Sequence, residues 1–390
     1  MANLDYPLYP IFAFLGFFLP LIPLSWHLQA WNSGTCFYIF WASISCLNQF
    51  VNSIIWRGNV LNSAPVWCDI SIRITMATSV SLPAASFCIV RRLYGIAAIR
   101  TASISYAEKR RAITIDCLIC GLWPLIYVAL QYIVQGHRFN IYEDIGCMPA
   151  IYNSLPTYFI TYSWPLLFGI ASAAYCILSL RAFAQRRLEF AQFMSTNKAL
   201  SVGRYFRLMA LAMTEMFCTI PLCIFLIWLS ATRSPIGPWI SISNTHIDYS
   251  RVDQFPSVLY RADPIFFMGI QFTRWASVAC SFIFFGFFGF AEEARRNYLK
   301  WYRAVLAAFG IQVLGDRRSI IPKYDMPSPN PSLPPPVYTV KCSLRTPPES
   351  PTSSSLSDFS LTRYSNSFEH SEQQLMPVND PVDVHFAHAV

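Results

Sequence analysis

Seven apolar segments, each about as long as a membrane-spanning helix, constrain what this chain can fold into. A helix needs roughly 20 apolar residues to cross a hydrocarbon layer about 30 Å thick. The segments cover about residues 9–28, 35–55, 67–90, 112–134, 157–180, 205–230 and 265–290. Because every backbone polar group in lipid needs an internal partner, helices are the expected form. The sequence predicts an all-α integral membrane protein with a seven-transmembrane helix bundle at residues 9–293.

The composition agrees with a membrane protein and argues against a nucleic-acid-binding one. Hydrophobic residues make up 54% of the 390 residues, and charged residues only 13%. The formal net charge is +8, but the basic residues lie beside the apolar segments, and no zinc-finger, homeodomain or RNA-binding signature is present. We therefore expect the basic residues to face the lipid bilayer surface, and we expect no nucleic-acid partner.

Alternate loops differ in their content of Lys and Arg, which predicts the orientation. Short loops rich in these residues stay on the cytoplasmic side of a membrane. The loops after the third and fifth segments, and the stretch after the seventh, are the basic ones. Residues 1–10 contain no basic residue, so we expect no cleavable signal peptide. The N-terminus (residues 1–8) is therefore expected outside the cell and the C-terminus inside.

Two further regions follow the last apolar segment. In residues 294–310, aromatic and apolar residues recur at helical spacing with Arg and Lys between them, which predicts an amphipathic interfacial helix. Residues 311–390 become rich in Pro and Ser. Such a composition cannot bury enough apolar surface to fold, so we expect a disordered cytoplasmic tail.

Charged residues inside the apolar segments are the first candidates for a binding site. Charge within a bilayer is costly, and it usually marks a functional or a pairing site. Asp69 and Arg73 lie four residues apart and share a helix face. Counting rise per residue puts Glu215 and Arg274 in adjacent layers. We hypothesise that these four residues line a cavity open to the outside and bind the polar part of a ligand; the alternative is a structural salt-bridge network.

The remaining chemistry does not indicate an enzyme. No HExxH, G-x-S-x-G or Walker-type motif is present, and the six histidines are scattered. The acids within the segments (Asp69, Asp116 and Glu215) occur one per helix. We expect no catalysis, no cofactor and no metal.

Two of the twelve cysteines stand apart from the apolar segments' interiors. Cys68 lies at the start of the third segment, and Cys147 lies in a polar loop. Both are expected on the oxidising side of the membrane, where disulfides persist. We therefore expect a disulfide between Cys68 and Cys147.

Five stretches, taken in chain order, resemble the lipopeptide mating-pheromone receptors of fungi, the a-factor receptor class (class D) of G-protein-coupled receptors. They read WCDISIRI, PAASFCIVRRLYGI, HRFNIYEDIGCMP, RYFRLMALAMTEMF and FFGFAEEARRNY, and the resemblance covers about residues 8–303. The signatures of the animal receptors are missing, since the third segment has no acidic-Arg-Tyr triplet and the seventh has no Asn-Pro-x-x-Tyr.

The resemblance implies a farnesylated peptide pheromone as ligand, and a heterotrimeric G protein as the inner partner that starts a MAP-kinase mating response at the plasma membrane. It directs attention to Arg91, Arg92, Arg204 and Arg207 as the G-protein surface, although anionic lipid is an alternative partner for them. The sixth segment, with Pro221 as hinge, is the expected moving element. The loop over residues 231–263 is expected to cover the ligand.

Two other classes remain open at this point. A small-molecule transporter is the alternative function, and it predicts internal repeats with broken helices, which the sequence does not show convincingly. A structural or scaffolding membrane protein would use the intramembrane charges and the cysteine pair only for packing.

Overall fold

The computed structural model describes residues 6–98, 106–185 and 202–308. The helices, in chain order, are α1 (Leu8–Phe18), α2 (Leu24–Gln29), α3 (Ser33–Ile55), α4 (Pro65–Ala98), α5 (Tyr106–Cys117), α6 (Trp123–Gln131), α7 (Leu155–Thr157), α8 (Ser163–Gln185), α9 (Val202–Arg233), α10 (Ile242–Thr245), α11 (Ser257–Tyr260), α12 (Pro264–Phe288) and α13 (Glu292–Ala308). The strands are β1 (Phe139–Tyr142), β2 (Gly146–Met148) and β3 (Val252–Phe255).

Within the described residues, six stretches are long and apolar enough to cross a membrane. They are Leu8–Gln29, Pro65–Ala98, Tyr106–Val134, Leu155–Gln185, Gly203–Arg233 and Pro264–Phe288. Each matches one of the predicted segments, and most extend a few residues beyond it, because the helices continue past the apolar core into more polar turns. The described part of the chain is therefore mostly helical, with six candidate membrane spans.

The second predicted segment is the 23-residue helix α3, which is long enough to cross a membrane but less apolar than these six stretches. Its buried face carries Asn48, Gln49 and Asn52 among several serines. The Asn48 amide donates to the carbonyl of Ser71 at 3.2 Å, and the Asn52 amide donates to the Ser71 hydroxyl at 2.8 Å. The polar residues thus join α3 to α4, a way of holding helices together that is common inside membranes.

Proline interrupts several of the helices. Pro20 and Pro23 lie where α1 gives way to a 3₁₀ turn and then to α2. A π-helical turn precedes Pro124 (Leu118–Leu122), and a second precedes Pro165 (Tyr158–Tyr162). Proline lacks the N–H that would close the preceding turn, so local changes of helix type before it are expected.

The packed core of the bundle is centred on α4, which contacts α3, α8 and α9. Its buried positions are largely small, including Ala77, Ala84 and Ala85, and the neighbouring helices add larger side chains such as Tyr38 and Phe284. Small residues allow the backbones of membrane helices to approach closely. Gly169 shows this between α8 and α9, since an added Cβ would lie 2.9 Å from Cγ1 of Ile220.

A small sheet at one end of the bundle corrects the prediction of an all-α chain. The strand order is β2–β1–β3, with β1 antiparallel to β2 and parallel to β3. Because β3 comes from the loop between α9 and α12, the sheet joins two loops that are distant in the sequence. We call this end of the bundle the sheet end. We call the opposite end, where Arg91, Arg92 and Arg207 lie, the arginine end.

The regions after the bundle are described only in part. Helix α13 covers most of the predicted interfacial segment (294–310) and begins two residues before it. The ring of Tyr298 packs edge-on against Trp26, with ring centroids 6.4 Å apart. That α13 lies at a membrane surface stays a prediction. The predicted tail (311–390) lies outside the described residues.

Candidate ligand-binding site

A cavity of about 450 Å³ runs into the bundle from the sheet end. Along α9 it is lined from Arg233 down to Glu215, a depth of about 27 Å by the helical rise per residue. The strand residues Asn140, Tyr142 and Met148 form part of its upper lining. Its volume is in the range of pockets that hold small ligands, roughly 300–1,000 Å³.

The lining of the cavity carries both polar and apolar groups. Hydroxyl and amide groups from α3, α4 and α12 include Ser45, Gln49, Thr75, Thr78, Ser79, Thr273 and Ser277. Apolar side chains, mainly from α9 and α12, include Leu222, Leu226, Leu229, Phe266 and Ile270. This mixed lining suits a ligand that has a polar part and an apolar part.

Glu215 lies at the deep end of the cavity and is only 6% exposed. Its carboxylate accepts hydrogen bonds from Thr219 at 2.8 Å, from Tyr38 at 3.3 Å and from the Cys280 thiol at 3.2 Å. No Lys or Arg of the described residues forms an ion pair with it. A buried carboxylate without a cation is costly, so Glu215 is the strongest candidate in the cavity for contact with a polar ligand group.

The other three charged residues predicted to line the cavity do not line it. Asp69 pairs with Arg138, whose Nη2 lies 2.6 Å from Oδ2, and Arg73 donates to the side-chain oxygen of Gln135 at 2.7 Å. Asp69 and Arg73 therefore have partners outside the cavity lining, and their role in ligand binding stays a prediction. The loop before β1 passes the end of α4 and supplies Arg138 and Gln135 as the partners of Asp69 and Arg73. Residue spacing within a helix does not reveal where such a loop lies.

Arg274, the fourth charged residue, is 5% exposed and turns away from Glu215. Its guanidinium lies over the ring of Tyr9, 3.5 Å from the centroid, and donates to the carbonyl of Asp144 at 3.1 Å. Helical rise predicts adjacent layers for Glu215 and Arg274, but it does not give the direction in which a side chain points. Arg274 therefore links α12 to α1 and to the sheet end.

Residues 135–148 and 252–260 form a roof over the cavity. The Glu143 carboxylate accepts from the backbone N–H of Ser257 at 2.6 Å, and the Glu143 carbonyl accepts from the Tyr260 hydroxyl at 2.9 Å. Tyr142 stacks on Phe255, with ring centroids 4.8 Å apart. Burial raises the pKa of Tyr142 to about 12, so its phenol stays neutral and acts as an apolar surface with a hydroxyl. The loop expected to cover a ligand (231–263) contributes its strand and α11 to this roof.

The roof is tied to α4 and α3 at two adjacent positions. Cys68 and Cys147 form a disulfide, with Cα atoms 5.3 Å apart. The next residue back, Gly146, has φ +99°, and a Cβ there would lie 2.6 Å from Cβ of Asn52. Only glycine suits both that backbone conformation and that close approach.

Arg91 and Arg92, which were expected to contact a G protein, have partners within this chain. Arg91 pairs with Asp116 at 2.7 Å, and the Asp116 carboxylate, 1% exposed, also accepts from Ser33. Arg92 donates to the carbonyl of Trp31. Arg204 and Arg207, in the first turns of α9, are partly buried at the same end. Arg91 therefore has a structural partner inside the bundle.

Pro221 lies within α9, which continues through it. Its side chain is exposed on the outward side of the helix, six residues beyond Glu215 towards the sheet end. The role of Pro221 as a hinge stays a prediction.

Several residues around Glu215 were missed by sequence reasoning. Tyr38, Thr219 and Cys280 surround it. Tyr38 and Cys280 come from other helices, so no local pattern marks them, and Thr219 lies one turn further along α9. The polar residues of α3 were a usable signal, since Gln49 interrupts an apolar segment and lines the cavity. Across the described ranges, no group of three or more His, Cys, Asp or Glu side chains is arranged to hold a metal ion.

Comparison with known proteins gives a consistent result. The family model described as pheromone A receptor matches residues 8–310. The chain is 57% identical over 311 residues to the pheromone B alpha 3 receptor of Schizophyllum commune, covering 80% of this chain and 50% of the relative. It is 30% identical over 299 residues to pheromone receptor 1 of Mycosarcoma maydis, covering 76% and 84%. It is 22% identical over 293 residues to the pheromone a factor receptor of Saccharomyces cerevisiae, covering 74% and 60%.

The matches confirm the resemblance drawn from the five stretches and bear on the other predictions. The chain spans about half the length of its Schizophyllum commune relatives. A receptor family with membrane-spanning helices implies a multi-pass membrane protein. The alternative of a small-molecule transporter is not favoured. The chain belongs to the pheromone A receptor family, whose members here are fungal pheromone receptors.

Proposed function

We propose that the chain is a G-protein-coupled receptor of the plasma membrane that binds a farnesylated peptide mating pheromone. Binding activates a heterotrimeric G protein and, through it, a MAP-kinase mating response. The observation that carries the proposal is the cavity beneath the roof, lined by both polar and apolar groups, in a chain that belongs to a family of pheromone receptors.

The mixed lining of the cavity suits the two parts of such a ligand. The leucines of α9 offer a surface for the farnesyl chain, and burial of each methylene contributes about 0.8 kcal/mol. The hydroxyl and amide groups of the lining can satisfy the peptide's backbone groups, which need hydrogen bonds once they leave water. We assign direct contact with the polar part of the ligand to Glu215. Asp69, Arg73 and Arg274 support the roof and so act on the ligand indirectly.

The topology proposed is a seven-helix bundle with α3 as the additional span. Its 23 residues reach about 35 Å at the helical rise per residue, and its polar groups are turned inward towards α4 and the cavity. The sheet end faces the outside, where the disulfide is stable. The arginine end faces the cytoplasm, as expected for clustered Lys and Arg.

Activation is proposed to follow from the shape of the cavity, since α9 lines it from Arg233 to Glu215 and continues to the arginine end. A ligand that binds one arrangement of α9 more tightly shifts the population towards it. Pro221 lies between the two ends and allows α9 to bend there. Arg92, Arg204 and Arg207 then form the surface offered to the G protein.

The test is expression in a yeast that lacks its own a-factor-type receptor and carries a reporter of the pheromone pathway. Farnesylated peptides and the same peptides without the farnesyl group are applied as a panel. A response that requires the farnesyl group supports both ligand class and G-protein coupling. Silence at confirmed surface expression, with a compatible G protein and a full peptide panel, contradicts the proposal. A parallel flux assay detects transport directly.

A further inference from the structure

The loop between α9 and α12 contains a segment whose surface is unusual for a loop in water. Residues 234–247, which we call the apolar loop segment, read SPIGPWISISNTHI and contain no Asp, Glu, Lys or Arg. Five large apolar side chains in it are exposed: Ile236 (54%), Trp239 (36%), Ile240 (69%), Ile242 (45%) and Ile247 (70%). Single exposed apolar residues are ordinary, but a contiguous group marks an interaction surface.

The start of the apolar loop segment is held against the residues that precede α7. The backbone N–H of Gly237 donates to the carbonyl of Asn153 at 2.9 Å, and the side-chain amide of Asn153 donates to the carbonyl of Ser234 at 2.8 Å. The two segments of the chain approach so closely that a Cβ on Gly237 would lie 2.2 Å from the Tyr152 hydroxyl oxygen. This end of the segment is therefore firmly positioned.

The other end is held against the last turn after α6. His246 Nε2 donates to the carbonyl of Tyr132 at 2.8 Å, and the two rings lie 4.4 Å apart. Tyr249 packs edge-on against the same tyrosine, with centroids 5.6 Å apart. Both ends are anchored, so the exposed apolar side chains between them belong to an ordered surface.

The two anchor points lie at the ends of two candidate membrane spans. Asn153 lies two residues before the span Leu155–Gln185, and Tyr132 belongs to the last turn of the span Tyr106–Val134. Outward side chains at these span ends are themselves exposed, with Leu155 at 63% and Phe159 at 67% in the one span and Tyr132 at 45% in the other. The apolar loop segment thus continues the surface that the two spans offer to lipid.

From this geometry we propose that the apolar loop segment lies in the headgroup layer of the bilayer, with Trp239, Ile240 and Ile247 reaching the boundary with the acyl chains. Trp and Tyr are enriched at that depth because their rings are apolar with one polar atom. A segment without charge avoids the cost of removing ions from water. The membrane itself is the partner that this surface fits.

The consequence is a roof attached to the membrane as well as to the helices. Ser234 lines the cavity, and β3 begins five residues after Ile247. The lipid-bound segment therefore lies between the cavity lining and the strand that completes the sheet. This inference goes beyond the proposed function, because it concerns the bilayer and requires no particular ligand.

The same loop supplies a matched control. Val258 is 81% exposed and apolar, but it follows the ion pair between Arg251 and Asp253, and precedes the pair of Asp263 with Arg233. Charged residues lie within five residues of Val258 on both sides, whereas the nearest charges to Ile240 along the chain, Arg233 and Asp248, are seven and eight residues away. By the same reasoning Val258 belongs in water. Exposure and hydrophobicity alone would predict the same environment for Ile240 and Val258, whereas the proposal predicts different ones.

The experiment uses the full chain in phosphatidylcholine nanodiscs, with an environment-sensitive fluorescent amino acid replacing Ile240, Ile247 or Val258 in separate preparations. Quenching is measured with nitroxide-labelled lipid, whose label lies at the top of the acyl chains, and with iodide in the water. At positions 240 and 247 we expect severalfold stronger quenching by lipid than at 258, and severalfold weaker quenching by iodide. The absence of thiol labelling at Cys68 and Cys147, which shows that their disulfide is intact, serves as the check of folding.

Two results would overturn the proposal. One is quenching by iodide at 240 and 247 as strong as at 258, with little quenching by lipid, which would place the segment in water. The other is protection from both quenchers, which would mean that protein, such as a second copy of the chain, covers the segment. Because no pheromone is used, either result is independent of whether the proposed receptor function holds.

Discussion

Arg138 holds the carboxylate of Asp69 with two hydrogen bonds, from Nε to Oδ1 at 3.1 Å and from Nη2 to Oδ2 at 2.6 Å. Such fork-like pairing gives geometric specificity as well as attraction. The bond to Asp69 raises the pKa of Arg138, so the guanidinium remains charged. The pair joins the loop before β1 to the first turns of α4, next to the bond between Arg73 and Gln135. Asp69 and Arg73 are therefore both bonded to the roof, and their contact with ligand stays a prediction.

Replacing Asp69 by Asn should weaken the attachment of the roof without unfolding the bundle. Both side chains are more than a third exposed, so we expect a loss of at most about 1 kcal/mol in the free energy of unfolding. The loss should become smaller at high salt, because exposed charges are screened. Thermal unfolding in detergent or nanodiscs measures it. Asp248→Asn, at an exposed loop position, is the control; an equal loss there would contradict the prediction.

Removing the disulfide should destabilise the protein much more than removing the ion pair. Cys68 and Cys147 are 79 residues apart in the chain, and a cross-link of that span stabilises by about 4 kcal/mol in the chain-entropy model. Cys68→Ser, Cys147→Ser and the double variant should lose the same stability, since each removes the same bond. Cys117→Ser, at an exposed free cysteine, is the control. Additive losses in the double variant, or labelling of both thiols in unreduced protein, would refute the prediction.

The positions of the helices were predictable, because each apolar segment has the length that a bilayer requires. The partners of the charges were not. Asp69 and Arg73 share a helix face, but their partners Arg138 and Gln135 arrive from a loop more than 60 residues away. The strands were also out of reach, because β2 has three residues and β1 and β3 have four each, too few for a pattern of alternation.

Helix α3 shows why a count of hydrophobic residues does not reveal which polar side chains lie inside the bundle. Asn48, Gln49 and Asn52 lower its apolar character, although their side chains lie within the bundle, against α4 and the cavity. A count of hydrophobic residues treats an inward polar group and a lipid-facing one alike. Which polar residues lie inside depends on the neighbouring helices, and only the structure supplies them. The candidate site was missed for the same reason, since its walls come from several helices and only Glu215 was recognised.

Replacing Glu215 by Gln should reduce pheromone potency on the order of tenfold or more, because a hydrogen bond to a charged group contributes about 1.5–3 kcal/mol. The side chain keeps its size, so the cavity is not reshaped. Dose–response curves at matched surface expression measure the change. Tyr38→Phe is the control, since it removes one donor to Glu215 and leaves the charge in place. Equal potency of wild type and Glu215→Gln would exclude direct contact with the ligand.

Arg91 and Arg92 are adjacent in the sequence but should differ in effect. Arg91→Gln leaves the buried carboxylate of Asp116 without its cation, and loss of one partner of a buried pair costs on the order of 3 kcal/mol. We expect less receptor at the cell surface. Arg92→Gln, and likewise Arg204→Gln and Arg207→Gln, should keep surface expression and pheromone binding but weaken G-protein activation.

The pair of Arg91 with Asp116 can be tested further by changing both residues. The double variant Arg91→Gln with Asp116→Asn leaves no unpaired charge, so it should be milder than either single variant in surface expression. Quantitative flow cytometry of a tagged receptor, together with G-protein activation in membranes, separates the two effects. If Arg91→Gln kept full expression and lost only activation, Arg91 would belong with Arg92 in the G-protein surface.

Replacing Pro221 by Ala should make α9 stiffer. Alanine supplies the N–H that proline lacks and restores the hydrogen bond to the carbonyl of Phe217, and it favours a helix interior by about 3 kcal/mol over proline. If bending at this point transmits the ligand's effect from Glu215 to the arginine end, the maximal response should fall while pheromone affinity stays nearly constant. Ile224→Ala is the matched control, since Ile224 is also exposed on α9 and the change leaves the backbone as it is. Unchanged basal and stimulated signalling in Pro221→Ala, at equal surface expression, would show that α9 does not need to bend at Pro221.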